Sequence, residues 1–490
     1  MTDCKLPLKL RGDHWNITSI IFTAFTDDRD TPVRKTELNI HRAQLGEKLE
    51  GNIFFVENVH DGDAYAIITD CPDNEQAVLT VNDYILDVDA GTNPIAIVPC
   101  KVGECEEACR NEYRKRMPNR PLISMSNTWG DRNGFSRVCE EFVIKEINKA
   151  AELGLDVVQI DDGWQIGNTA DPAIRDKKGR RVFDDYFWQL NTERFPNGIR
   201  ALSDYAAERG IKLGLWFAPD SRNHFERASR DIAILKNAYD NWGARFFKLD
   251  MYWIECDEDR DAFLNLLKSI YEFGDDVFVQ IDVTTSARIN YLCGREYGTI
   301  FVENRYTKMR TFFPHRTLKN LWLLSSCIPS AKFQFELVNL SLNADCYDEN
   351  DEFAPSKFDI DYLFASVMLS NPLFWMELQF LSDENTEKLK NIISFWHSYR
   401  DIFRNSDVSP IGEKPSGRSF TGFRIKNRDS EYALLLREVT FSDNGVYVMP
   451  NDIKNAEVLL SNADVSLQYV GNALSATFSK PRAYAFIKLN

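Results

Sequence analysis

Residues 244–253 read ARFFKLDMYW, and the fold turns on how this stretch is taken. Lys248 and Asp250 interrupt an apolar run at alternate positions. On a β-strand successive side chains face opposite ways, so the two charges point to the same side. Burying both is costly unless they are paired or put to use. The stretch is therefore expected to be a strand whose charged pair reaches a rim.

Strands of the same kind recur on either side of it. LISMSN, DVVQID, IKLGLWF, RFFKLD, VFVQID, GTIFVEN, KFQFEL and LFWMEL are short, apolar and rich in β-branched or aromatic residues. Helical segments separate them: RVCEEFVIKEINKAAELG, closing on Gly154, and GIRALSDYAAERG, closing on Gly210, each end on the residue that favours a helix C-cap. Strands alternating with helices imply a parallel sheet, and eight such units between residues 122 and 403 have the size of a TIM barrel.

The flanks have another rhythm. Up to residue 102 short alternating runs such as GNIFFVEN, AYAIITD and NPIAIVP are separated by Asp, Asn and Gly, and a charged connector, ECEEACRNEYRKRMPNRP, follows. Beyond residue 405, EYALLLREV and AYAFIKLN return to short strands. The expected class is α/β: a β-sandwich-like domain with connector over 1–120, a (β/α)8 barrel over 121–404, and an antiparallel β domain over 405–490.

Composition narrows the function. The 490 residues are 44% hydrophobic and 27% charged, which suits a large packed core. A net charge of −16 opposes a nucleic-acid partner, which needs a cationic face. MTDCKLPLKLRGDHWNITS has no signal-peptide core, and no run of about 18 apolar residues suggests a membrane span. Ten scattered cysteines fit free thiols in the cytoplasm. With no HExxH, GxGxxG or Walker A pattern, neither a metal nor a nucleotide cofactor is expected. An acidic barrel with β appendages is compatible with a homo-oligomer.

In a TIM barrel the functional groups stand at the C-terminal ends of the strands. Here those ends read NTWGD, DDGW, WFAPD, KLDMYW, QIDV and FVENR. Acids recur at almost every one, with Trp129, Trp164, Trp216 and Trp253 at or just past four of them. Carboxylates accept hydrogen bonds from sugar hydroxyls, and indoles cover the apolar faces of sugar rings, so the rim suits a carbohydrate. Cleaving a glycosidic bond takes two carboxyl groups, and Asp250 and Glu303 end strands four and six. Asp282, ending strand five, competes with Glu303, although its place next to strand four is expected to leave too little room for a sugar bond between it and Asp250.

The order DDGWQ, LNTERFPNGIRALSDYAAERGIKLGLWFAPD and FFKLDM resembles the retaining α-galactosidases of glycoside hydrolase family 36, in the clan that also holds family 27. The resemblance covers the barrel and is strongest in its first half. It implies that Asp250 is the nucleophile, with Lys248 beside it binding sugar hydroxyls, and that Asp161 and Asp162 grip the hydroxyls that distinguish galactose. It also implies β domains before and after the barrel.

The sequence departs from that pattern at definite points. Tyr252 stands where the family has Asn, and Ala218 replaces the acid of a W-F-E-P-E element, leaving Asp220. A glycine-rich element after strand five is reduced to VTTSARIN, with Arg288 matching. FVENR replaces the element that carries the acid/base, which puts Glu303 in that role. The expectation is a double-displacement α-galactosidase acting on oligosaccharides, with Trp164 and Trp216 walling the sugar and Trp129, Asp220 and Arg288 also binding it. A transglycosylase, an α-N-acetylgalactosaminidase, a β-L-arabinopyranosidase and a carbohydrate-binding pseudoenzyme are the alternatives.

Overall fold

The computed structural model describes residues 5–12, 14–22, 32–40, 46–72, 75–130, 134–171, 174–284, 289 and 291–490. Eight parallel strands close into a barrel: Met125–Asn127, Val157–Ile160, Lys212–Phe217, Phe246–Leu249, Phe278–Asp282, Thr299–Phe301, Phe333–Leu337 and Asn371–Phe374. Each pairs in parallel with its neighbours, and the first pairs with the last through Met125–Leu373. All eight expected strands are present. The eighth begins two residues before LFWMEL, on Asn371 and Pro372.

Alternation along strand four sorts its side chains. Phe246 packs inside the barrel with Met125, Val157, Phe278 and Phe301, while Phe247 and Leu249 join the core beneath the helices. Gly214 on strand three makes this possible, because a Cβ there would stand 2.7 Å from the Cβ of Phe246. Lys248 shares the parity of Phe246 one step nearer the C-terminal end, so it rises from the barrel axis into the mouth.

The crossover helix Glu140–Leu153 ends as expected on Gly154, at φ 79°. The next, Gly198–Ala207, stops three residues before Gly210, which at φ 76° turns the chain into strand three.

The flanking β regions each use both faces of a sheet. In the N-terminal strand Ile53–Asn58, Phe54 and Val56 face a second, four-stranded sheet, while Ile53 and Phe55 face the barrel. In Glu431–Arg437 of the C-terminal region, Ala433 and Leu435 face a three-stranded sheet, and Leu434 and Leu436 face the barrel helices. Period two thus lets one strand serve two cores. The connector helix Cys105–Arg114 lies where the parts meet. Its buried Arg110 grips Asp407 with two hydrogen bonds of 2.8 and 2.9 Å and donates a third, of 2.6 Å, to the Ser326 carbonyl. Among the described residues, no helix is long and apolar enough to cross a membrane.

Candidate active site

A cavity of about 280 Å³ opens at the C-terminal end of the barrel. Lys248 forms its floor. The Nζ lies 3.0 Å from Asp161 Oδ2, 3.3 Å from Asp282 Oδ2 and 3.7 Å from Asp250 Oδ2, with the rings of Trp375 and Phe301 within 6 Å. Burial alone would discharge this lysine. The three carboxylates outweigh burial and hold its pKa above the ordinary lysine value, so it is a fixed cation.

Each acid is held by the local fold. Asp161 follows strand two directly; its backbone N–H donates to Thr128 Oγ1 and its carboxylate accepts from Asn127 Nδ2 at 2.7 Å. Asp162 accepts from Gln165 Nε2 and from the Thr169 hydroxyl. Burial pushes Asp162 up to about 6 against those two donors, with Asp161 and Asp250 adding repulsion. The turn between them and the next strand needs Gly163, which has φ 120° and would put a Cβ 2.8 Å from Phe135.

Asp250 follows strand four directly. Its Oδ2 accepts from Trp216 Nε1 at 3.0 Å, and its Oδ1 accepts from the N–H of Met251 at 2.6 Å. Met251 sits in the left-handed region at φ 57°, which a side chain pays for in strain and which turns that N–H back onto the carboxylate. Asp282 ends strand five and is buried, with Oδ1 accepting from the N–H and hydroxyl of Thr284 at 2.9 and 2.6 Å. Burial first, then repulsion from Asp250, raises Asp282 to about 7, although Lys248 and Thr284 pull the other way.

The expected site residues divide. Asp161, Asp162, Trp216, Lys248, Asp250 and Trp129 line the cavity together. Trp164 does not: it lies behind Trp216, donating from Nε1 to the Trp216 carbonyl at 2.8 Å and stacking on Trp188 in the core. Asp220 is also outside the lining, held by Arg222 through contacts of 2.8 and 2.6 Å. Trp253 is outside it too, and Tyr252 is buried against Phe263. Arg288 lies outside the described residues.

Glu303 requires the largest correction. It is fully buried, and its carboxylate accepts from Thr317 Oγ1 at 2.7 Å and Asn320 Nδ2 at 2.6 Å, both on the helix Pro314–Leu324 outside the barrel wall. Arg305 Nε stands 3.6 Å away. Asn304 and Tyr306 take the place at the cavity instead, where the Tyr306 hydroxyl accepts from Trp129 Nε1 at 3.0 Å. A carboxylate so placed anchors a helix and does not line the cavity. Glu303→Gln is therefore expected to cost about 1–3 kcal/mol of stability, read as a lowered Tm, without changing the dependence of rate on leaving group.

Sequence reasoning missed Phe135, Thr169, Arg181, Thr284, Asn304 and Tyr306 in the lining. Asn304 lies inside FVENR and Thr284 inside VTTSARIN, both already singled out, and Tyr306 directly follows the first; Phe135, Thr169 and Arg181 sit on long loops with no pattern of their own. One group of three metal-ligand types exists among the described residues: His224 on the loop after strand three, Cys256 just before the helix Asp257–Tyr271, and Asp259 in that helix's first turn. His224 Nδ1 and Asp259 Oδ1 stand 2.8 Å apart, as in an ordinary pair, and none of the three lines the cavity.

Comparison with known proteins adds to this geometry. A family model described as melibiase matches residues 106–242. The α-galactosidase Mel36A of Lactobacillus acidophilus is 38% identical over 74 residues, 15% of this chain and 9% of its own length. The α-galactosidase AgaA of Geobacillus stearothermophilus is 36% identical over 113 residues, 23% of this chain and 13% of its own. A crystal structure of an AgaA variant in complex with raffinose shares the fold, with a TM-score of 0.66 and 13% identity over 98% of this chain and 76% of that one. The sequence matches thus span only a small part of these relatives' length.

Proposed function

We propose that this divergent relative of the family 36 α-galactosidases is a retaining glycosidase that removes terminal α-linked galactose from oligosaccharides, with Asp250 as nucleophile and Asp282 as acid and then base. The observation that carries the proposal is the single ammonium of Lys248, shared by Asp161, Asp250 and Asp282 on the floor of one cavity. Because Asp250 and Asp282 both touch it, their nearer oxygens stand no more than about 7 Å apart, the 3.7 and 3.3 Å legs laid end to end. Retaining enzymes need a spacing of roughly 5–5.5 Å, and inverting ones roughly 6.5–9.5 Å. The bound set by the shared lysine admits the first, and all but the lower edge of the second lies beyond it.

The chemistry follows from how differently the two carboxyls are held. Asp250 accepts from Trp216 Nε1 and the Met251 N–H and lies 3.7 Å from the Lys248 ammonium, which together aim its carboxylate at the anomeric carbon. Asp282, at about 7, is half protonated at neutral pH and protonated below it, and in that form gives its proton to the departing oxygen. It then takes a proton from the water that releases the sugar from Asp250. Asp161, Asp162 and Lys248 hold sugar hydroxyls, and Trp129 and Trp216 cover the ring's apolar faces.

With 4-nitrophenyl α-galactoside followed by NMR, α-galactose is expected to appear first and then mutarotate. First appearance of the β anomer would overturn the retaining mechanism. Failure to cleave α-galactosides, α-N-acetylgalactosaminides and β-L-arabinopyranosides alike would sink the glycosidase. A cytoplasmic location accords with the nine described cysteines, all unpaired.

A further inference from the structure

In a chain of net charge −16, residues 175–181 read RDKKGRR, five cations and one acid. They form a tight hairpin in the long loop after strand two. The Asp176 N–H donates to the Arg180 carbonyl at 2.8 Å, and Gly179 turns the chain at φ 86°. Arg175 and Arg181 pair directly across it as antiparallel partners. Opposed residues in such a pair project from the same face, where like charges repel.

The cations of the hairpin do different things. Lys178 and Arg180 fasten it, reaching Glu255 on the loop after strand four at 3.2 and 3.6 Å, and Arg180 also binds Asp176 at 2.9 Å. Arg175 and Arg181 have no carboxylate at ion-pair distance among the described residues. Arg181 lines the cavity, with Nε donating to the Thr169 carbonyl at 3.3 Å; the Thr169 hydroxyl in turn holds Asp162. Burial and then Arg175 push Arg181 below its usual pKa while Asp250 and Asp162 pull the other way, and an anion placed between the two guanidinium groups would relieve Arg181 further.

We infer that Arg181 and Arg175 form a subsite for an oxyanion carried by the substrate: a phosphate or sulfate ester on the sugar next to the galactosyl unit. Paired guanidinium groups suit such esters because each offers a planar fork of donors. Arg181 shares its cavity with Asp250, which favours a substituent of the substrate over an independent ion. The bond to be cleaved is taken from the glycosidase proposed above.

The test uses the full chain with melibiose and with melibiose phosphorylated on its glucosyl unit. The phosphorylated sugar is expected to have at least a tenfold higher kcat/KM, through KM. Arg181→Gln and Arg175→Gln should each bring that ratio toward one. Equal kcat/KM for the two sugars in the parent would overturn the subsite, and so would a ratio that neither variant lowers. Inorganic phosphate should compete with the phosphorylated sugar; if it instead accelerates cleavage of neutral melibiose, the anion is an effector and the inference falls. Calorimetry on Asp250→Asn separates the two proposals. Tighter binding of the phosphorylated sugar by a protein whose parent cleaves neither would sink the glycosidase and keep the subsite. Cleavage of both without discrimination would do the reverse.

Discussion

Replacing Asp250 with alanine is expected to lower α-galactoside turnover by on the order of 10⁴-fold or more, the scale seen when a residue acting as part of a catalytic unit is removed. Trp216 Nε1 and the Met251 N–H would be left facing the emptied space, and Lys248 would keep Asp161 and Asp282. A small external nucleophile such as azide then fits where the carboxylate stood. With an activated aryl α-galactoside it should restore turnover and yield β-galactosyl azide, because it attacks from the nucleophile's face. Near-parent activity in the alanine variant would remove Asp250 from the chemistry. An α-configured azide would place the attack on the other side of the sugar.

Asp282→Asn is the second large effect. General acid catalysis contributes roughly 10²–10⁴-fold, and the loss should fall on leaving groups that need a proton. A disaccharide should suffer far more than a nitrophenyl glycoside in its first step. The sign with pH is fixed by the direction of the shift. The acid form is required, and Asp282 loses its proton as pH rises through about 7, so the parent's rate should fall on the alkaline side and the variant should lose that limb. Stability follows the same titration. A carboxyl raised above its unfolded value makes the folded state bind more protons, so its burial costs most above pH 7 and least near pH 4. Asp282→Asn should therefore flatten the dependence of Tm on pH across that window. Equal losses for all leaving groups would make Asp282 a positioning residue for Lys248 and Asp250.

The residues that the sequence could place are those governed by strand parity. Lys248 lies on strand four and Asp250 one residue past it, so period two carries both to the mouth. Asp161 likewise follows strand two at once. Glu303 shows how the rule lapses. Phe301 points into the barrel, and two more steps along a strand would have brought Glu303 to the same side; the strand stops at Phe301, and the chain turns the acid toward the helix. Trp164 follows Gly163 and folds back onto Trp188. Asp220 lies three residues beyond Phe217 and meets the neighbouring Arg222. The eight strands were legible because each carries its own pattern. A loop contact such as that of Thr169 or Arg181 depends on where a long excursion returns, and no local period encodes that.

Arg110 has a bearing on how the molecule comes apart. Its guanidinium joins a connector helix to Asp407, at the first strand of the C-terminal region 297 residues away, and to the Ser326 carbonyl in the barrel segment. Peeling that strand off would strand a buried cation without its anion, a loss of about 3–5 kcal/mol. That penalty makes detachment of the strand by itself rarer, and ties the opening of the C-terminal region to that of the connector helix and barrel it is fastened to.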